Sequence, residues 1–262
     1  MISQTSTMGF LSDVACCGLG GPENVCHDHS PIAARLGRNM NKFHRKIGVT
    51  QAVEKSVHPN GRSQRRPILV FDVMDTIVMD PFYTVVPQFF GMTMEELFKV
   101  KHPQSWLLFE RGLIDEKQMM DNFFSDGRDF DKAGLLKTMC ENYDYVANME
   151  QLLKRLKAAG YEMHTCSNYP SWYKLIENKL NLSSCVQWTF VSCDGPMKGL
   201  RKPDVEAYNT MVESLGANPE DVILVDDREV NVTGASKAGI DGIWFKSAQE
   251  LEVEFKRRGL TY

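Results

Sequence analysis

The stretch Pro67-Ile68-Leu69-Val70-Phe71-Asp72-Val73-Met74-Asp75-Thr76-Ile77-Val78 constrains this chain more than any other. Four apolar residues in a row end in Asp72. A second carboxylate and a threonine follow closely, and then apolar character resumes. A short continuous run of this kind predicts a strand buried on both faces. Open parallel α/β sheets bind ligands outside the carboxyl ends of their strands, so Asp72 stands where chemistry is expected. Buried carboxylates repel one another unless something positive lies between them, and a divalent cation fits that need. The alternative is that Asp72 and Asp75 only cap the strand and begin a turn.

Downstream, the pattern becomes a regular alternation. Residues 149–157 form an amphipathic repeat stopped by Gly160, and residues 161–166 read as a strand ending in Ser167-Asn168. Residues 172–179 read as helix, 186–191 as strand, and 204–215 as a helix stopped by Gly216. Val222-Ile223-Leu224-Val225 is a second buried strand, ending in Asp226-Asp227; residues 231–238 are helical and 242–245 a last strand. Strands alternating with helices predict an α/β protein, a Rossmann-like doubly wound parallel sheet with right-handed crossovers.

Between the first strand and this alternation lie residues 81–146, with twelve aromatics drawn from Phe, Tyr and Trp and few β-branched runs. Thr93-Met94-Glu95-Glu96 is a capping-box pattern opening one helix, and Asp115 can cap another. The stretch reads as a small helical cap inserted after the first strand, with the α/β core expected over 67–80 and 147–262. The aromatic wealth also suits a compact core.

The first 66 residues lack sustained periodicity. They hold nine Lys and Arg against four Asp and Glu, a net +5, whereas the remainder holds twenty-one against thirty, a net −9. Arg-rich, Ser-containing and acid-poor leaders resemble organelle transit peptides, and an uncharged start before a basic region suits the chloroplast kind; a disordered basic tail with a cytoplasmic protein is the alternative. A net charge of −4 gives no reason to expect nucleic acid, and no apolar run reaches the roughly 18–20 residues that cross a bilayer. Seven cysteines form no closely spaced framework, and Cys16, Cys17, Cys26, His27 and His29 match no zinc spacing.

Polar groups gather at several predicted strand ends: Asp72 and Asp75, Ser167 and Asn168, Asp226 and Asp227. Lys202 sits at the mouth of a helix. A phosphoryl group needs such a set: an attacking carboxylate, Mg²⁺ held by hard oxygen ligands, and a hydroxyl and a lysine for the remaining oxygens. In this order the motifs resemble the haloacid dehalogenase superfamily over residues 67 to about 255. Asp72 with Thr76 matches its first motif, Ser167 the second, Lys202 the third and Asp226-Asp227 the fourth. The resemblance implies Asp72 as nucleophile, passing through an aspartyl-phosphate. It implies phosphate binding by Ser167, Asn168 and Lys202, with Lys202 also restraining Asp72. It implies Mg²⁺ on Asp72, the Met74 backbone carbonyl, Asp226 and Asp227, and a helical cap that selects substrate.

One position departs from the family. Its phosphatases carry a general acid and base two residues after the nucleophile, where this chain has Met74. Losing that proton donor costs on the order of 10²–10⁴-fold unless another group substitutes. Asp75 and His102 are the candidate replacements. Dehalogenases also lack the acid, but they leave the Asp226-Asp227 pair unexplained. The run from Phe71 to Phe82, with Lys101-His102-Pro103 and Phe109-Glu110-Arg111-Gly112, resembles a plant plastid subgroup of the family. That resemblance implies flavin mononucleotide (FMN) as the small phosphate ester, with Phe82, Trp106 or Phe109 stacking on its ring. A sugar or nucleotide phosphatase, and a non-catalytic binding protein on the same fold, remain as alternatives. Oligomeric state is not legible in the residues.

Overall fold

The computed structural model describes residues 66–262. The leader expected over 1–66 lies outside the described residues except for Arg66, whose guanidinium stacks 5.2 Å from the Tyr161 ring centroid.

Five strands form one parallel sheet: β1 (Ile68–Phe71), β2 (Met163–Ser167), β3 (Gln187–Val191), β4 (Val222–Asp226) and β5 (Asp241–Trp244), in the order β3-β2-β1-β4-β5. Every residue of β2 and β4 is buried, as are three of the four in β1, whereas the edge strands β3 and β5 are partly exposed. This is why the central strands read as unbroken apolar runs: parallel strands with crossover helices on both faces have no solvent side. Leu69, Phe71, Ile223 and Val225 pack on one face, and Val70, Val222, Leu224 and Cys166 on the other.

Five helices fill the insertion: α1 (Phe82–Phe90), α2 (Met94–Val100), α3 (Ser105–Glu110), α4 (Glu116–Asp121) and α5 (Lys132–Asn142). Both expected caps form. Thr93 and Glu96 close a capping box at α2, and Asp115 and Gln118 close another at α4, each satisfying backbone amides that the first turn leaves without partners. The apolar faces of these helices join the same cluster as the first face of the sheet, Leu97, Met119 and Met139 among them.

The core helices are α6 (Met149–Ala158), α7 (Tyr173–Leu180), α8 (Val205–Leu215), α9 (Glu229–Lys237) and α10 (Ala248–Arg257). α6 buries Leu152, Leu153 and Leu156 on one stripe, and Gly160, at φ 81°, turns the chain toward β2. The β2 strand begins two residues later than its apolar pattern suggested. Helix α10 was not read from the sequence; Ser247 caps it, and Phe255 packs edge-on against Phe71 at 6.4 Å. Its exposed face alternates Glu, Lys and Arg densely enough to mask the buried stripe of Ala248, Leu251 and Phe255. No helix among the described residues is long and apolar enough to cross a membrane.

Candidate functional site

Register assembles the site. Phe71 pairs with Val225, so the next residues, Asp72 and Asp226, emerge side by side from adjoining strands, about 4.8 Å apart in a typical sheet. The Asp72 amide donates to Val225 O at 2.8 Å and carries the pairing one residue past the strand. On the other side, Ser167 closes β2. Beyond Asp72 the chain coils tightly: the amides of Ile77 and Val78 both donate to Val73 O, at 2.9 and 2.8 Å. Asp75 adopts φ 54°, a left-handed conformation that Asp tolerates better than most side chains. This coil buries Thr76 and leaves Asp75 exposed.

Lys202 binds the carboxylates together. Its Nζ donates to Asp72 Oδ1 at 2.8 Å and to Asp226 Oδ2 at 2.5 Å, with its side chain 1% exposed. Burial alone would lower the ammonium's pKa, but the charges of Asp226 and Asp72 outweigh it and hold the value well above that of an ordinary lysine. Burial raises the Asp72 carboxyl above its usual range; Lys202 opposes this, and the charges of Asp226 and Asp227 add to it. Burial and the Asp226 charge push Asp227 up to about 6.

Two asparagines set this geometry. Asn168 clamps the Lys202 backbone: its Oδ1 accepts from the Lys202 amide at 2.9 Å and its Nδ2 donates to Lys202 O at 2.8 Å. The structure thus turns the Asn168 amide toward the lysine it positions. Asn231, on α9, donates to both oxygens of Asp226, at 2.9 and 3.1 Å, and the Arg228 amide donates to Oδ1 at 2.9 Å. Asn231 was not singled out from the sequence. An Asn one helical turn after an acidic pair is the signal that could have found it.

The donors fit a hard cation. Asp72, Asp226 and Asp227 each bring a carboxylate oxygen to within 4.8 Å of the other two. Three carboxylates outnumber the single ammonium among them, and oxygen ligands suit Mg²⁺ or Ca²⁺. In the coil after Asp72 and at the end of β2, the hydroxyls of Thr76 and Ser167 are buried without a hydrogen-bond partner. An unpartnered buried hydroxyl costs about 1–3 kcal/mol, which an anionic ligand with acceptor oxygens would recover.

The remaining candidates are spread over the loop and the inserted helices. Asp75 Oδ1 accepts from the Asp80 amide at 2.9 Å. His102 Nδ1 accepts from the amides of Gln104 and Ser105, at 3.2 and 3.0 Å, so the ring caps α3. Among the described residues no hydrogen bond joins His102 to a site carboxylate. Phe109 is 2% exposed and packs edge-on against Trp106 and Trp172, leaving no open face for a ligand. Phe82 and Trp106 are half-buried, with ring centroids 5.8 Å apart.

The insertion is seated on the loops after β3. Ser192 Oγ donates to Glu110 O at 2.6 Å, Arg201 pairs with Glu110 at 3.0 Å, and Arg111 Nε donates to Gly199 O at 2.8 Å. Burial raises the Glu110 carboxyl's pKa, against the pull of Arg201.

A parallel sheet carrying this carboxylate, hydroxyl, lysine and acidic pair in this chain order defines a haloacid dehalogenase-like hydrolase. That family's sequence profile matches residues 68–239, and the chain belongs to it. The chain is 49% identical to the chloroplastic flavin mononucleotide hydrolase 1 of Arabidopsis thaliana over 76% of its own length and 80% of the relative's. It is 26% identical to a sesquiterpene phosphatase of Aspergillus oryzae over 63% of this chain and 85% of that one. Among solved structures, a haloacid dehalogenase family enzyme from Bacteroides thetaiotaomicron, in complex with magnesium and inorganic phosphate, superposes with a TM-score of 0.60 at 17% identity. That match covers 72% of this chain and 98% of the other. A haloacid dehalogenase hydrolase from Bacillus subtilis bound to magnesium gives 0.56 at 21% identity, over 74% and 100% of the two chains. At these identities the two structures speak for the fold.

Proposed function

We propose that this chain is a Mg²⁺-dependent phosphatase that hydrolyses FMN to riboflavin and phosphate in the plastid. The observation that carries the chemistry is the buried Lys202 ammonium shared by Asp72 and Asp226, with the unpartnered Ser167 hydroxyl closing the neighbouring strand β2. A phosphoryl group beside Asp72 would accept from Ser167 and from Lys202. Asp72, the Met74 carbonyl, Asp226 and Asp227 would hold Mg²⁺, which when bound neutralises charge on the phosphoryl oxygens.

Asp72 attacks phosphorus in line and forms the aspartyl-phosphate, which water then hydrolyses. Lys202 fixes the attacking carboxylate and balances its charge; Asn168 fixes Lys202 in turn. The substrate reading is supported by the Arabidopsis relative and by the half-buried pair Phe82 and Trp106, which could stack on an isoalloxazine ring.

Phosphate release by the full chain from FMN, a sugar phosphate and a nucleotide, with Mg²⁺ or EDTA, tests this. FMN should be hydrolysed fastest, and only with Mg²⁺. Preference for another ester would replace the substrate, and inertness toward all three would leave a binding protein. The plastid reading is tested by fusing residues 1–66 to a fluorescent protein: import into chloroplasts is expected, and cytosolic fluorescence would refute it.

A further inference from the structure

The two carboxylates that follow one another at the end of β4 are held very differently. Asp226 closes the strand, and its side chain accepts from Lys202 Nζ, from the Arg228 amide and twice from Asn231 Nδ2, between 2.5 and 3.1 Å. Asp227 stands one residue beyond the strand, and among the described residues no hydrogen bond reaches its carboxylate. Its oxygen nevertheless lies within 4.8 Å of those on Asp72 and Asp226.

The neighbouring edge strand takes over where the ladder stops. Asp226 pairs with Trp244 at the last register position of β4 and β5, and the Phe245 amide donates to Asp226 O at 2.9 Å. The next carbonyl, that of Asp227, receives the Trp244 indole instead: Nε1 donates to Asp227 O at 2.8 Å. An aspartate carboxylate rides close to its own backbone, so a fixed carbonyl narrows the space that the carboxylate can reach. The indole is itself held. Trp244 is 43% exposed, and the Lys246 ammonium lies 3.0 Å from its ring centroid, a cation over the negative face of the ring. A ring this open to water gains little from burial, so its hydrogen bond is what it supplies at this place.

We propose that Trp244 is a positioning residue for the metal site: its indole N–H fixes the backbone of Asp227, and thereby the one carboxylate of the cluster that no other hydrogen bond holds. The proposal rests on the Mg²⁺ site of the reading above. Residues that orient a metal's ligands without touching the metal typically carry about 10–100-fold in affinity. Lys246 acts one step further out, holding the ring that holds the carbonyl. Such a role bears on metal affinity rather than on the chemical step once metal saturates.

The opposite edge of the sheet provides a control. Trp188, on β3, is also half-buried and also donates its indole N–H, to Glu177 Oε2 at 2.8 Å, but it lies at the far side of the sheet from β4 and β5. The test is Mg²⁺ binding to the full-length chain without substrate, by isothermal titration calorimetry, in wild type, Trp244→Phe and Trp188→Phe. Phenylalanine keeps an aromatic ring and removes the donor; circular dichroism verifies the fold. We expect the Mg²⁺ dissociation constant to rise about 10–100-fold in Trp244→Phe and by less than about threefold in Trp188→Phe. In FMN turnover, Trp244→Phe should raise the Mg²⁺ concentration for half-maximal rate, while kcat at saturating Mg²⁺ falls by less than about threefold. An unchanged dissociation constant in Trp244→Phe, or an equal rise in Trp188→Phe, would overturn the proposal alone. Should Trp244→Phe not fold, Lys246→Met decides in its place. Removing a cation would by charge alone tighten Mg²⁺ binding, so a raised dissociation constant supports the hold on the ring, and an unchanged or lowered one overturns it. A wild type that takes up no Mg²⁺ would overturn the metal site and the proposal with it.

Discussion

Replacing Lys202 by methionine removes one ammonium, keeps nearly the same side-chain length, and leaves Asp72 and Asp226 facing each other. Both carboxylates are buried, Asp226 completely, and Lys202 donates to each at 2.8 and 2.5 Å. Breaking a buried ion pair from one side costs about 3–5 kcal/mol, because the stranded charge keeps its desolvation penalty. For a folded unit of this size that is a fall in Tm of roughly 6–20 °C. The loss should depend on pH. The Asp72 carboxyl is already raised in the native state, chiefly by burial, so its favourable contribution is complete below the unfolded value and disappears as pH rises through the folded one. Without Lys202 the folded value climbs further. The destabilisation should therefore be smaller at about pH 4.5 than at about pH 8, the direction in which the carboxyl ionises. Urea melts of wild type and Lys202→Met at both pH values, in EDTA, measure it. Mg²⁺ at about a hundred times its dissociation constant should restore about 2.7 kcal/mol by occupying the native site. A variant within about 1 kcal/mol of wild type at pH 8, or a loss equal at both pH values, would refute the buried pairing.

Asp72→Asn should abolish turnover on every ester while the melting curve stays near that of wild type, because the amide oxygen can still accept from Lys202; clear residual turnover would remove Asp72 as nucleophile. Asp227→Asn should raise the Mg²⁺ concentration for half-maximal activity steeply, read from a Mg²⁺ titration at saturating substrate, since a neutral ligand replaces a charged one in the cluster. Gly112→Ala should destabilise by at least about 1–2 kcal/mol in chemical denaturation, since its φ is +65° and the new Cβ would lie 2.5 Å from Cys193 O. Because that clash sits where the inserted helices rest on the loop after β3, activity should fall together with stability.

Where apolar patterning and local chemistry agreed, the sequence was a reliable guide. Burial on both faces makes a central parallel strand an unbroken apolar run, so β1 and β4 could be read from four or five residues. Capping needs only neighbours, so Thr93 with Glu96 and Asp115 with Gln118 were legible. The strand-end groups Asp72, Ser167, Lys202 and Asp226-Asp227 could be singled out for the same reason: each follows or precedes an element whose end is locally marked. Helix α10, whose charged residues crowd the pattern, escaped that reading.

What required the tertiary structure was every relation between distant positions. Lys202 reaches Asp72 across 130 residues of chain, and nothing local to either side chain specifies that bond. The Asn168 amide reads as a phosphate ligand from its place at a strand end, yet the fold brings the Lys202 backbone against it and both ends of the amide are used there. Phe82, Trp106 and Phe109 look alike as aromatics; packing against Trp172 closes Phe109 and leaves the other two half-open. The residues themselves determine which groups exist and which local elements they begin or end. Their partners, their desolvation and their charge state arise when strand register and helix packing bring remote groups into one low-dielectric space, because those energies depend on distance and burial rather than on order along the chain.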